Sequence, residues 1–249
     1  MKINVFLQAR MSSTRLPGKV LMPLIGKPMI YRQIERIRLS KLINEIIILT
    51  STDSSDNEIV EYCELIGCKV FRGDLNNVLS RYIDALKIYS CDHVVRLTGD
   101  CPLIDWEVID ATINKHLNTN ADYTSNVLPP TFPDGLDVEV IAKKCLQDIG
   151  LRAKKEYEKE HVTYFCYQNP DRYHIENYKN INGDESSLRW TVDHKEDFDF
   201  VNAIYEKLYF DKPFRNDEIR QLLKLEPSLI NLNQGILRNE GLLKSLESE

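Results

Sequence analysis

No stretch of this 249-residue chain runs for about 18 or more apolar side chains, so the sequence offers no span for a bilayer. The opening Met-Lys-Ile-Asn-Val-Phe-Leu is too short, and turns polar too soon, to read as a signal peptide. An excess of positive charge is missing too. With 38 Asp and Glu against 32 Lys and Arg the net charge is -6, which argues against broad attraction to nucleic acid. The six cysteines, Cys63, Cys68, Cys91, Cys101, Cys145 and Cys166, form neither a CxxC pair nor a Cys/His cluster at zinc-binding spacing, so buried reduced thiols are expected. Internal repeats and Gly/Ser linkers are absent. What remains is an ordinary cytoplasmic globular protein, 43% hydrophobic and long enough to bury a substantial core.

The chain does contain a regular alternation. Lys2 to Gln8 is a short apolar run suited to a buried strand, and Pro28 to Leu39 spaces Met29, Ile30, Ile34 and Ile37 along one helical face. A strand at Glu45 to Thr50, a helix at Asn57 to Ile66 ended by Gly67, a strand at Lys69 to Arg72, a helix at Val78 to Tyr89 and a strand at His93 to Leu97 follow. This rhythm predicts an α/β fold, a mostly parallel sheet flanked by helices. Ligands in such sheets gather beyond the carboxyl ends of the strands, so residues 9–19, 50–54, 72–77 and 98–104 are expected to share one crevice.

Past Ala121 the rhythm changes. Three prolines precede the alternating GLDVEVIA, which reads as an exposed-edged strand, part of an antiparallel subsheet or of an inserted dimerisation or substrate arm at about residues 126–170. Helices at Lys143 to Arg152 and Glu156 to Gln168, strands at Arg172 to Tyr178 and Leu188 to Val192, and helices from Lys195 complete the reading. One domain over residues 1–230 is expected, then a loose polar tail over 231–249.

The segment LQARMSSTRLPGK, residues 7 to 19, places Arg10, Arg15 and Lys19 on one bend-prone loop behind the first strand. Ser12, Ser13 and Thr14 add hydroxyls, and Pro17-Gly18 forces a bend. Irregular turns can point successive amides at an anion, and fixed cations can reach a polyphosphate. The loop is neither the Walker string, GxxxxGKS or GxxxxGKT, nor GxGxxG, so its meaning rests on the whole segment, and a solvated turn is the plain alternative.

ARMSSTRLPGKVLMPLIGKPMIYRQIERI resembles the N-terminal signature of the nucleotidyltransferases that make CMP-activated sugar acids, the CMP-Kdo and CMP-sialate synthetases, and most of all their spore-coat polysaccharide protein F branch. FRGDLNNVLSRYIDA, HVVRLTGDCPLID, ADYTSN, GLDVEV, EHVT and LRWTVDHKEDFDFV are similar to successive blocks of that family, in its order, across roughly residues 3 to 210. The resemblance implies a Rossmann-like, nucleotide-diphospho-sugar transferase type of fold. It also implies transfer of a cytidylyl group from CTP to an acidic sugar, with pyrophosphate leaving, for surface polysaccharide or glycan biosynthesis, in a homodimer.

Asp100 closes a strand and is pinned by Cys101-Pro102, and Asp193 ends LRWTV; by composition alone either reads as a turn or cap residue. The resemblance implies that both hold Mg²⁺. It likewise implies that Arg15, Lys19 and Asp100 are catalytic, and that Gln8, Ala9, Arg10, Ser12, Arg15, Lys19, Thr98 and Asp100 bind the nucleotide, while Thr52, Arg72 and Gly73, on the loops after the second and third strands, are placed by the strand-end rule to read its base. Asp137 and Glu139 stand on alternate positions of a strand and point to one side, to bind sugar hydroxyls or a second cation, with a solvent-facing edge as the plain alternative; with Glu160, His161 and Arg189 they are candidates for the acceptor site. Two departures are visible, Asn77 where the family usually has Asp, and His194-Lys195 where TPED is more common. A sugar or polyol phosphate acceptor, a nucleotide-sugar glycosyltransferase and a non-catalytic nucleotide binder are the alternatives; the second would carry an Asp-x-Asp element that GDCPLID lacks.

Overall fold

A computed structural model describes residues 1–247. The strands are β1 (Ile3–Gln8), the small hairpin β2 (Pro23–Leu24) and β3 (Lys27–Pro28), β4 (Glu45–Ser51), β5 (Lys69–Gly73), β6 (His93–Thr98), β7 (Tyr123–Ser125), β8 (Glu139–Ala142) and β9 (Ile175–Asn177). Seven of them form one sheet in the order β5-β4-β1-β6-β8-β7-β9. Contacts of β1 with β4 and β6, of β4 with β5, and of β7 with β9 are parallel, whereas β8 runs antiparallel to both β6 and β7. The expected α/β architecture is therefore present.

Alternation along the strands builds a core on each face of the sheet. Ile3, Val5 and Leu7 of β1 and Ile48 of β4 join one core with Ile30, Ile34 and Ile37 of helix α1 (Met29–Ile37) and Ile59 of α2 (Asn57–Leu65). The same core takes in Ile109 of α4 (Trp106–Thr119), Val201 and Ile204 of α8 (Lys195–Leu208) and Ile219 of α9 (Asn216–Leu225). Phe6, Ile47 and Leu49 point the other way, against Tyr82 and Leu86 of α3 (Val78–Ile88) and Leu146 and Ile149 of α5 (Lys143–Arg152). Two short helices, α6 (Glu156–Glu160) and α7 (Tyr164–Tyr167), continue that second layer, and α10 (Glu240–Glu247) follows later in the chain. All six cysteines are buried and free of disulfides.

Three expectations for the second half are corrected. Of the two readings of GLDVEVIA the antiparallel one holds, since β8 pairs antiparallel with β6 and β7, but it is neither an edge nor an arm: it lies inside the main sheet, with Val140 and Ile141 fully buried. Leu188 to Val192 is extended without being a strand; a single parallel bridge joins Asp134 to Arg189. Gly135 makes that approach possible, since a Cβ there would meet the Thr191 nitrogen at 2.5 Å. Residues 240–247 are helical and packed rather than loose; within them Ser245 donates to Glu160 and pairs with His161. Residues 248 and 249 of the expected tail lie outside the described residues. Among the described residues no helix is long and apolar enough to cross a membrane.

Candidate active site

Two adjoining cavities, of about 420 and 290 Å³, open at the carboxyl ends of β1 and β6 and share Arg15, Arg96, Thr98, Asp100, His161, Asp193 and Gly241 as lining. The larger is walled by the loop after β1, the smaller by residues from β6, β7 and β8. They meet where Gly99 lets β6 run close beside β1: a Cβ at Gly99 would stand 2.8 Å from that of Ala9.

The loop after β1 is held from within the sheet. The buried carboxylate of Asp56 accepts the Met11 N–H at 2.7 Å, the Thr50 hydroxyl at 2.8 Å and the Ser51 N–H at 2.9 Å. Burial alone would raise the Asp56 pKa, yet these bonds overcome it and hold the group below the usual carboxylate range. Further along, Gly18 takes a left-handed φ of 70° and turns the chain so that Lys19 points inward.

Lys19 is the centre of the site. Its Nζ donates to the Val192 carbonyl at 2.6 Å and to Asp193 at 3.0 Å, and contacts Asp100 at 3.4 Å. Two carboxylates 93 positions apart thus converge on one ammonium. Desolvation pulls the lysine pKa down, but Asp100 and Asp193 raise it above its ordinary value, so it is a fixed cation. Arg15 meets the same Asp193 oxygen at 2.7 Å and reaches Glu240 at 3.6 Å. Among the described residues its buried Nε has no hydrogen-bond partner, which leaves a donor in the cavity wall. Despite burial, Lys19 and Arg15 hold Asp193 well below the usual carboxylate range. Asp100 is steered by Thr98, whose hydroxyl donates to it at 2.6 Å.

Asp193 is not a helix cap. His194 takes that position on α8, and the carboxylate of Asp197 accepts the N–H groups of both Asp193 and His194 at 3.0 Å. Asp197 also binds Arg189 at 2.9 Å, and Arg189 reaches Asp134 at 2.8 Å and Asp193 at 3.1 Å. The buried arginine is therefore engaged by three carboxylates and is not a free anchor for an acceptor's acidic group, as the sequence suggested. It serves to hold Asp193 in place.

Asp137 and Glu139 both line the smaller cavity, as their alternation predicted. Glu139 pairs with Arg96 and accepts the hydroxyls of Tyr123 and Thr163, each at 2.6 Å. Asp137 is bound by Arg238 at 2.7 Å. Glu160 and His161 close the outer edge of the larger cavity.

Gln8, Ala9, Arg10 and Thr98 line the larger cavity as expected. Ser12, Thr52, Arg72 and Gly73 do not. Ser12 and Thr52 are exposed outside the lining, and the Arg72 guanidinium is engaged by the carbonyls of Ser51 and Asp53 and the side chain of Asn57. Gly73 sits at the end of β5 against the Arg81 side chain. The segments 50–54 and 72–77 are thus kept out of the crevice by their own turn contacts. Asn77, one of the two departures, caps α3 by accepting the Ser80 N–H at 3.0 Å. Sequence reasoning missed Asp56, Asp134, Asp197, Arg238 and Glu240; of Arg96 it expects an ion pair with a nearby carboxylate, which Glu139 supplies. Only Asp197 left a trace, standing one helical turn after Asp193 as that helix begins.

The chain belongs to the cytidylyltransferase family, whose model matches residues 5–239. It is a CTP-dependent nucleotidyltransferase with the nucleotide-diphospho-sugar transferase type of fold. Among similar proteins, an uncharacterised protein of Methanocaldococcus jannaschii is 35% identical over 95% of this chain and 96% of its own length. The spore coat polysaccharide biosynthesis protein SpsF of Bacillus subtilis is 32% identical over 90% of this chain and 95% of its own. A 3-deoxy-manno-octulosonate cytidylyltransferase of Bdellovibrio bacteriovorus is 39% identical over 44% of each chain. The structure of a cytidylyltransferase from Leptospira borgpetersenii superposes with a TM-score of 0.90 at 32% identity, covering 96% of this chain and all of that one. A CMP:2-keto-3-deoxy-manno-octonic acid synthetase complexed with CTP superposes with a TM-score of 0.66 at 16% identity, over 84% of this chain and all of its own, a likeness of fold.

Proposed function

We propose that this cytidylyltransferase activates an acidic sugar, of the 2-keto sugar acid class, to a CMP-sugar for surface polysaccharide or glycan synthesis. The observation that carries the reading is the pair of joined cavities: one walled by the cationic loop, the other walled by hydroxyls and carboxylates, with Arg15, Asp100 and Asp193 at their junction. That layout suits a triphosphate on one side and a many-hydroxyl acceptor on the other, with the α-phosphorus between them. The names of the SpsF and octulosonate relatives support the acceptor class.

In the reaction the acceptor oxygen attacks the α-phosphorus in line and pyrophosphate leaves. Lys19 and Arg15 supply fixed positive charge beside the phosphates, and Arg10 lines the same wall. Gln8, Ala9 and Thr98 shape the nucleotide side. Among the described residues no group of three or more His, Cys, Asp or Glu side chains forms a metal cage. The donor set still fits Mg²⁺, since Asp100 and Asp193 already converge on one cation and magnesium takes one or two carboxylates with phosphate oxygens. Those two residues would hold it. When bound, the ion neutralises phosphate charge and favours departure of the leaving group. The reading extends to a cytoplasmic homodimer, which sedimentation would test.

The deciding experiment is a pyrophosphate-release screen with CTP and Mg²⁺ against 2-keto sugar acids and, separately, sugar and polyol phosphates. Release with the acids alone supports the proposal. Release with the phosphates alone replaces it with synthesis of a CDP product.

A further inference from the structure

Six carboxylates line the smaller cavity, and they differ in how many donors they already hold. Asp193 binds Lys19, Arg15 and Arg189; Glu139 binds Arg96, Tyr123 and Thr163; Asp134 binds Arg189 and faces Arg238. Asp100 receives Thr98 and Lys19, and Glu240 contacts Arg15 and His194. Asp137 is the exception. Among the described residues it receives one donor, Arg238, on Oδ1 at 2.7 Å, and its side chain is about one-third exposed into the cavity, leaving Oδ2 to accept from a ligand. An ionised carboxylate has roughly four acceptor sites, so most of its capacity is unspent.

We propose that Asp137 is the general base of the transfer. This rests on the reading above that the acceptor occupies the smaller cavity. The proton of the attacking hydroxyl passes to Oδ2 of Asp137 as the hydroxyl oxygen bonds to the α-phosphorus of CTP. The bond from that phosphorus to the bridging oxygen breaks, and its electron pair leaves with pyrophosphate. The other carboxylates are poorly suited, because donors already occupy the lone pairs that would have to take the proton.

The charged surroundings of Asp137 suit the task. Arg238 approaches from the segment before α10, Asp134 from the preceding turn, Glu139 from the same strand and Asp100 from the end of β6; His161, Arg96 and Arg15 complete the charged lining. Recess from water pushes the Asp137 pKa up to about 7; Arg238 pulls against this, and Asp134, Glu139 and Asp100 add to it. A base with a pKa near the working pH is the most effective kind.

The test uses the full chain with CTP, Mg²⁺ and whichever acceptor in the screen releases pyrophosphate. Asp137→Asn should lower kcat about 100-fold or more and abolish the fall in kcat/KM for the acceptor on the acid side of neutrality. CTP affinity by calorimetry should stay within about twofold, and Asp137→Glu should recover part of the rate. Arg238→Met removes the cation that lowers the Asp137 pKa, so the acid limb should move to higher pH. That variant also serves if Asp137→Asn does not fold. An Asp137→Asn enzyme within about fivefold of wild type, or an acid limb that neither substitution moves, overturns the assignment. Turnover of sugar phosphates alone sinks the acceptor reading and the base with it, since an ionised phosphate oxygen has no proton to give up, whereas turnover of sugar acids by Asp137→Asn at the wild-type rate sinks the base alone. If nothing in the screen reacts, both fall.

Discussion

The cleft has two walls built on different principles. Residues 3–119 contribute strands in regular parallel succession, and their site residues emerge just past strand ends, with the loop after β1 tied down by hydrogen bonds to Asp56. Residues 120–247 contribute short strands, an extended segment and the α10 region, and their site residues are fixed by ion pairs such as those of Arg189 and Arg238. The first wall gets its geometry from secondary structure. The second gets it from charge pairing among side chains, some four to eight residues apart and others more than fifty, and so concentrates its vulnerability in a few residues.

The sharpest way to break that contrast is Arg189→Met, which leaves Asp134, Asp193 and Asp197 without their shared guanidinium. Stripping one partner from a buried charge network costs about 3–5 kcal/mol, so denaturant unfolding should show a loss of that order. On the first wall, Asp100→Asn should cut kcat about a hundredfold, because it removes one of the two carboxylates that would hold the divalent cation beside the phosphates, while a thermal melt shifts by only a few degrees. An equal loss of stability in both variants would erase the distinction between the walls.

Acid sharpens the comparison. Asp56 and Asp193 both have pKa values below their unfolded ones, so the stability they contribute is present above about pH 4 and lost as pH falls through the folded values. Urea midpoints measured between about pH 6 and 3 should decline, and Asp56→Asn should flatten that decline while weakening CTP binding through the loop. Smaller again is Glu240→Gln. Freed from a half-exposed carboxylate, Arg15 should bind CTP about two- to fourfold more tightly in a titration, the scale of a surface ion pair. Smallest is Arg72→Gln, which should leave the KM for CTP within about twofold, since its donors are spent on the turn beside it.

The same contrast explains what could be read from the sequence. The parallel strands, α1 to α3 and the cationic loop were legible because periodicity and loop position are local signals. Asp100 and Asp193 were paired through family resemblance, and the structure brings them onto Lys19. Arg189 reads as an acceptor ligand from sequence because a strand over 188–192 would carry it away from Asp193 and Asp197, four and eight residues on, and because Asp134 lies 55 positions before it. Arg72 and Thr52 were placed in the crevice by the strand-end rule, which fixes where a loop begins but not where its side chains turn. The inserted-arm reading of 126–170 treated GLDVEVIA as an edge strand, whereas its apolar half, Val140 and Ile141, is buried in mid-sheet. Arg238 and Glu240 fell within a stretch whose polarity looked like solvent exposure and in fact reflects partners across the cleft.

The Lys19 bond to the Val192 carbonyl spans 173 positions of the chain. A fragment ending before residue 190 would carry every recognisable letter of the amino-terminal signature and still lack the Val192 carbonyl and the Asp193 carboxylate, the two nearest of the three acceptors that orient its lysine. Such a fragment should therefore fail to recognise a nucleotide. In this molecule the signature names the loop, and the far half of the chain makes it competent.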